Sequence, residues 1–378
     1  MKKTNLFIII AVFTVLLLYS IPSSAKIWRV NNRSNYNGTS SWGSNFGGNV
    51  TFPVFKQIDE AVAWNSVVDS DTIHVEGSPN FYAHTVITKR LVIIGPGYFL
   101  SDNPKTSNDL YDAKVGRIEF STGSNGSVLS GINVEIDNSI AGYVVISADS
   151  ITVKRCKLDR GVEFKAIVSG LLQKVTIIQN YFPEIFPTTN VFKVVNSFIP
   201  PVDIIFNNNI CKKTLLWEEN GGGTAWAITE CKNNIFDGPD NLATPNLRFS
   251  TSNFSNNILM PNNAIVDITA GAGLISYNIG TQTTQFGTAF SNLVVPTITT
   301  LFIGGTSNDG YYQIQSGTQA YQNGSDGADR GAFGGAIQSS RYTLSGLTPV
   351  PVVYEATSNG VVSTTTGLPV TVKARTIK

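Results

Sequence analysis

The sequence predicts an all-β solenoid in which short strands, stacked coil on coil, form a parallel β-helix. Three observations lead there. Only 14% of the 378 residues are charged, while 34 are Gly and 35 are Asn, a turn-rich composition with 42% apolar residues to fill a core. A ragged repeat returns through the middle of the chain with a period in the solenoid range. No copy holds an amphipathic stretch long enough for a helix, which removes helical and leucine-rich repeats. The formal net charge of +1 argues against a nucleic-acid or acidic-membrane partner, which a basic patch would serve.

The N-terminus reads as an export signal. Lys2 and Lys3 precede an apolar run from Leu6 to Leu18, and Ser23, Ser24 and Ala25 offer a small-residue cleavage site before Lys26. The run is shorter than the ~20 residues a comfortable membrane span needs. Cleavage after Ala25 leaves 353 residues with no second hydrophobic segment, hence no membrane span. Next, residues 54–64 (Val54 to Trp64) read as an amphipathic helix with Phe55, Ile58, Ala61 and Val62 near one face, placed to cap the first coil. A strand over Asp71–Gly77 follows, with Ile73 and Val75 inward, then another over Arg90–Gly95.

The repeat is clearest where Asn precedes an aliphatic or aromatic residue: Asn180-Tyr181, Asn209-Ile210, Asn234-Ile235, Asn257-Ile258 and Asn278-Ile279. Weaker copies place Ile132 and Leu158 in the same role, giving steps of 26, 23, 29, 25, 23 and 21 residues. A coil of that length fits three short strands, paired with the next coil at the ordinary sheet spacing of ~4.8 Å. Stacked Asn amides can hydrogen-bond from coil to coil, and Asn tolerates the left-handed corner of a sharp turn. Ile205 and Ile235 are expected to face inward. Cys156, Cys211 and Cys231 form no CxxC pair and read as small apolar residues packed in strands, with any pairing left open.

The helix followed by "DTIHVEGS…ITKRLVIIGPG" and the Asn-bearing coils resembles the secreted right-handed parallel β-helix proteins of the pectate-lyase-like superfamily, over residues 27 to 300. The segment "DGYYQIQSGTQAYQNGSDGADRGAFGG" is similar to the closing segments of such proteins in Gram-negative bacteria. The resemblance implies an extracellular or cell-surface protein, with a β-helix domain over residues 26–303 and a closing segment with a β tail over 304–378. In that tail, Val352–Ala356 and Val370–Arg375 alternate as strands outside the helix. Fold alone leaves function open.

Lyases of this fold need a Lys or Arg base and a cation to neutralise a uronate carboxylate. The hydrolase signature of the family is absent, and the two His, His74 and His84, precede the main coils. The densest ionisable stretch, Lys154, Arg155, Lys157, Asp159, Arg160, Glu163 and Lys165, supplies Arg160 and Lys165 as candidate catalytic groups. Asp237 and Asp240 form a second acidic group. Asp326 and Asp329, around Gly327, are candidate calcium ligands, although short of a full ligand set. Trp42, Trp217, Tyr311 and Tyr312 are candidate sugar-stacking residues, whereas Trp226 shares parity with Ile228 and reads as core. Together these favour a polysaccharide-binding or structural protein without catalysis; a polysaccharide lyase and an adhesin or surface fibre are the alternatives.

Overall fold

The computed structural model describes residues 25–137, 142–165, 172–184, 190–194, 200–218, 224–240, 245–358 and 368–376. The expected export signal, residues 1–25 with its apolar run, lies almost wholly outside them. No helix among the described residues is long and apolar enough to cross a membrane.

The chain winds into a parallel β-helix. Sheet A has eleven strands, opening with Val54–Phe55, Ile27–Val30 and Thr72–Val75 and ending with Ile275–Ser276. Sheet B has nine, from Lys114–Val115 to Leu293–Val294, and sheet C five, from Thr85–Ile87 to Phe192–Val194. A four-stranded sheet D, built around Pro245–Thr251, continues the third side in the later coils. Every ladder within sheets A to D is parallel.

Parity along each short strand decides what the coils enclose. In sheet A, Ile73, Ile93, Leu129, Val153, Ile177, Phe206, Cys231 and Phe254 pair in register and are all buried. Sheet B contributes Val115, Val134, Leu158, Phe182, Cys211, Phe236 and Leu259 to the same core. All three cysteines are buried and free, two of them in these columns. Ile205 does not belong there: it is half-buried on the outer side of sheet A, between the inward Ile204 and Phe206. The capping helix is also shorter than its apolar spacing predicts. Val54–Phe55 pairs with Arg29–Val30 as a strand, and the helix runs only over Ile58–Ala63, burying Ile58, Ala61 and Val62. Ladder bonds to the sheet edge satisfy the backbone of Val54 and Phe55 in an extended form, so the helix starts after them.

The corner between sheets A and B carries the Asn column, and it uses two residues per coil. Gly131, Arg155, Gln179, Asn208, Asn233, Asn256, Tyr277 and Ser291 all have φ between 52° and 68°. The residue after each is buried, and from the third of these corners onward it is Asn: 180, 209, 234, 257, 278 and 292. Each amide oxygen accepts from the coil before it; Asn234 Oδ1 takes Asn209 N at 2.9 Å and Asn209 Nδ2 at 3.1 Å. Each Nδ2 also donates to a sheet A carbonyl, as Asn234 does to Phe206 O at 2.9 Å. In the two earlier coils Ile132 and Cys156 hold the ladder position, and the true register aligns Asn133, Lys157 and Tyr181. With no Asn to mark them, the sequence repeat slips by one residue at Ile132 and Leu158.

Residues 295–348 fold back along the outside of this corner and close it. The outward residues of sheet B, Tyr181, Ile210, Ile235, Ile258 and Ile279, form a second apolar core with Val295, Leu301, Phe302, Ala320, Ala332 and Tyr342. Ile235 is therefore buried on the outer face of the coil, beneath this strap. The left-handed corner residues bind the strap in reverse order. Asn256 Nδ2 donates to Ser325 Oγ at 2.9 Å, Asn208 Nδ2 to Ala332 O and Gly334 O at 2.9 Å, and Gln179 Nε2 to Ser339 O at 3.0 Å. Arg155 Nη1 reaches Leu347 O at 3.0 Å, and Thr348 Oγ1 donates to Gly95 O at 2.9 Å. A non-Gly residue in this conformation costs roughly 1–2 kcal/mol, which these bonds offset. Beyond the strap, Pro351–Ser358 and Val370–Thr376 pair as an antiparallel hairpin.

Asn234→Ala strands a buried N–H and an amide of Asn209 and the carbonyl of Phe206; at ~1–3 kcal/mol per lost partner, denaturant unfolding should show a loss of about 3 kcal/mol or more. Ile235→Asp is expected to abolish soluble expression, whereas Ile205→Asp leaves soluble, folded protein; equal behaviour of the two would contradict the facing assigned to them.

Candidate functional site

The ionisable stretch from Lys154 to Lys165 turns two corners, so its members face different sides of the coil. Lys154 lies in sheet A, Arg155 is held at the corner under the strap, and Lys157 is on sheet B. Glu163 and Lys165 reach the outer face of sheet C. There Glu163 accepts from Arg117 Nη2 at 3.1 Å and Lys193 Nζ at 2.7 Å, while Lys165 Nζ donates to both oxygens of Glu119 at 2.9 and 3.0 Å. Lys193 also sits 4.9 Å from the ring centre of Tyr143. His84 borders this network, its pKa lowered by partial burial and then by Arg117. His74 is half-buried on sheet A and is likewise lowered by burial.

Arg160 lies apart from Lys165, in the turn leading out of sheet B. Beside it, Lys157 Nζ donates to Asp159 Oδ1 at 2.7 Å and to Asn133 Oδ1 at 3.2 Å. Burial raises the pKa of Asp159 against the pull of Lys157. Two coils further on, Lys213 is 1% exposed, and burial brings its pKa down to about 8, with Asp159 opposing and Arg160 assisting the shift. The residues two past the sheet B strands, Arg160, Glu184 and Lys213, thus form a charged column. The repeat contained that signal, but reading one dense stretch along the chain conceals a cluster that forms between coils.

Asp237 and Asp240 serve separate contacts. Tyr312 Oη donates to Asp237 Oδ2 at 2.5 Å, tying the strap to sheet B, and Asp240 Oδ1 accepts from Asn263 N at 2.5 Å. Asp326 and Asp329 brace turns of the strap: Asp326 accepts from Ala328 N at 3.1 Å and Ala336 N at 2.7 Å, and Asp329 from Gln322 N at 2.8 Å. Among the described residues, no group of three or more His, Cys, Asp or Glu is arranged to hold a metal ion.

The four aromatic candidates divide sharply. Trp217 is not a surface residue: it is 1% exposed and packs against Phe164, Phe192 and Trp226 at 5.1, 5.2 and 4.8 Å between ring centres. Tyr312 is buried by its bond to Asp237, and Tyr311 is half-buried against it and Phe302. Trp42 borders a pocket. With Tyr36, Pro53, Phe55, Glu60 and Trp64 it walls about 200 Å³ beside the capping helix, and its ring meets Trp64 edge-on at 5.9 Å. The backbone of Trp42 is left-handed, φ 58°, and its carbonyl accepts from Val54 N at 3.1 Å. Gly48 is required opposite, because a Cβ there would lie 1.9 Å from that carbonyl oxygen. A longer groove of about 750 Å³ follows the outer side of sheet A past Thr72, His74, Glu76, Asp109 and Tyr111, walled by Val350–Val353. No protein-family model matches the chain, and neither a curated protein nor a solved structure matches it.

Lys213 should leave a mark on stability. Its folded pKa of about 8 lies below the ordinary 10.5, so the unfolded chain binds more protons between those values and folding gains as pH rises through that window. Wild type should gain stability relative to Lys213→Met from pH 8 to 10.5 in paired denaturation curves; a constant difference would contradict the burial of the amine.

Proposed function

We propose that the protein is an exported, extracellular or cell-surface β-helix that binds a polysaccharide without cleaving it. The observation that carries this reading is the pocket at Trp42. Sugar rings present C–H faces to aromatic walls and hydroxyls to hydrogen-bond acceptors, and Tyr36, Trp42 and Trp64 with the Glu60 carboxylate offer both in one concave site. Export is supported by the charged and apolar N-terminal segment before Lys26. The parallel coils and the helix at their N-terminal end support kinship with the pectate-lyase-like superfamily.

One observation favours the lyase reading as the second choice. Lys213, its pKa brought down to about 8 by burial, lies within electrostatic reach of Arg160. An amine so lowered is partly unprotonated at neutral pH, as a proton-abstracting base must be, although at 1% exposure it would act only on a substrate whose binding uncovers it.

The test is to mix purified protein with a panel of neutral and anionic polysaccharides, with and without calcium, following both glycan depletion and new chain ends. Depletion without new ends, weakened about tenfold by Trp42→Ala, is the expected result. New chain ends that vanish in Lys213→Ala would replace this reading with the lyase.

A further inference from the structure

A third concave site lies where the strap meets the terminal hairpin, far along the chain from the Trp42 pocket. Gln313, Gln338, Arg341, Thr343, Arg375 and Thr376 help to line a cleft of about 460 Å³, and no Asp or Glu borders it. Neither arginine forms an ion pair among the described residues. Arg341 donates Nε to Gly335 O at 2.7 Å, which fixes its guanidinium on the strap. Arg375 projects from the hairpin strand Val370–Thr376, and its Nε is buried with no hydrogen-bond partner. Two guanidinium groups sharing a cleft repel each other in the absence of a counter-charge. A buried donor without an acceptor adds to that penalty. An oxyanion answers both, since planar guanidinium forks match carboxylate, sulfate or phosphate oxygens in pairs. The amides and hydroxyls of Gln313, Gln338, Thr343 and Thr376 surround the same space with groups suited to sugar hydroxyls.

We infer that the cleft between Arg341 and Arg375 is an anion site that receives a carboxylate- or sulfate-bearing unit of a bound glycan. The glycan, though not the anion site, rests on the function proposed above. The cleft joins two separate segments of chain, so an anion held there also fastens the terminal hairpin to the strap.

Dextran, carboxymethyl dextran and dextran sulfate of matched length separate the two ideas, with binding to the purified full-length protein measured by calorimetry. The anion site predicts that at least one charged polymer binds about tenfold or more tightly than dextran. Arg341→Gln and Arg375→Gln should each remove most of that advantage, while Lys105→Gln, an exposed charge elsewhere, keeps it. Arg375→Gln guards against a folding artefact at Arg341, because its side chain makes no hydrogen bond at Nε to lose. Equal affinity for charged and neutral dextran overturns the anion site, and so does an advantage that survives the double Arg variant or falls equally in Lys105→Gln. Loss of dextran binding alone, with an Arg-dependent anionic preference intact, would strike the Trp42 pocket and leave this site standing.

Discussion

Everything in this molecule hangs on one turn, repeated coil after coil at the corner between sheets A and B. One residue adopts the left-handed conformation and points its side chain out, and the next points in and bonds to its neighbours above and below. The inward Asn side chains fill a place where the backbone of a sharp corner would otherwise bury unpaired groups, because each amide supplies an acceptor and two donors in a fixed plane. Asn180 and Asn209 to Asn278 are completely excluded from solvent, so the ladder bonds form without competition from water. The corner sets the register of sheets A and B together, which keeps the inward columns of the two sheets aligned.

The outward half of the same turn explains why the strap lies where it does. Arg155, Gln179, Asn208 and Asn256 are no more than 4% exposed although they point away from the coil, because the strap covers them. Apolar contact and polar contact are segregated: Ile210, Ile235, Ile258 and Ile279 give the strap a hydrophobic bed, while the corner residues give it a row of directional bonds. A buried node at Asp309, accepting from Asn103 at 2.7 Å and Ser345 N at 2.6 Å, fastens the strap near the early coils. Burial raises the pKa of that carboxylate, and its hydrogen-bond donors, Asn103 foremost, act against the shift.

The coil architecture was legible because a stacked turn repeats its chemistry at a nearly constant spacing, and Asn234-Ile235 or Asn257-Ile258 carry that spacing openly. The inward facing of Ile73 and Val75 followed from parity alone. Several of the readings that failed had a common cause. Ile235 and Ile258 are apolar on the outer face because a distant segment covers them, and a repeat gives no hint of what lies over it. Trp217 and Tyr312 were offered as surface aromatics on composition, whereas tertiary packing buries both. Lys213 was missed because its neighbours Asp159 and Arg160 are two coils away. Trp42 was found, but its partners Tyr36 and Trp64 lie on either side in sequence and become a pocket only when the capping helix docks.

The strap runs against the direction of the coils, and this has a consequence for how the chain reaches its native state. Thr348 bonds to Gly95 across 253 positions, and Leu347 to Arg155 across 192. Neighbouring coils, by contrast, join residues such as Asn209 and Asn234 that are 25 apart. Coil stacking is thus a near-local process that can advance as the polypeptide emerges, whereas strap docking is of very high contact order and waits for residues 295–348. Until then the isoleucine row on sheet B stands open to water as a sticky intermediate surface, so the interval between the last coil and the last residues is the moment of greatest exposure to aggregation.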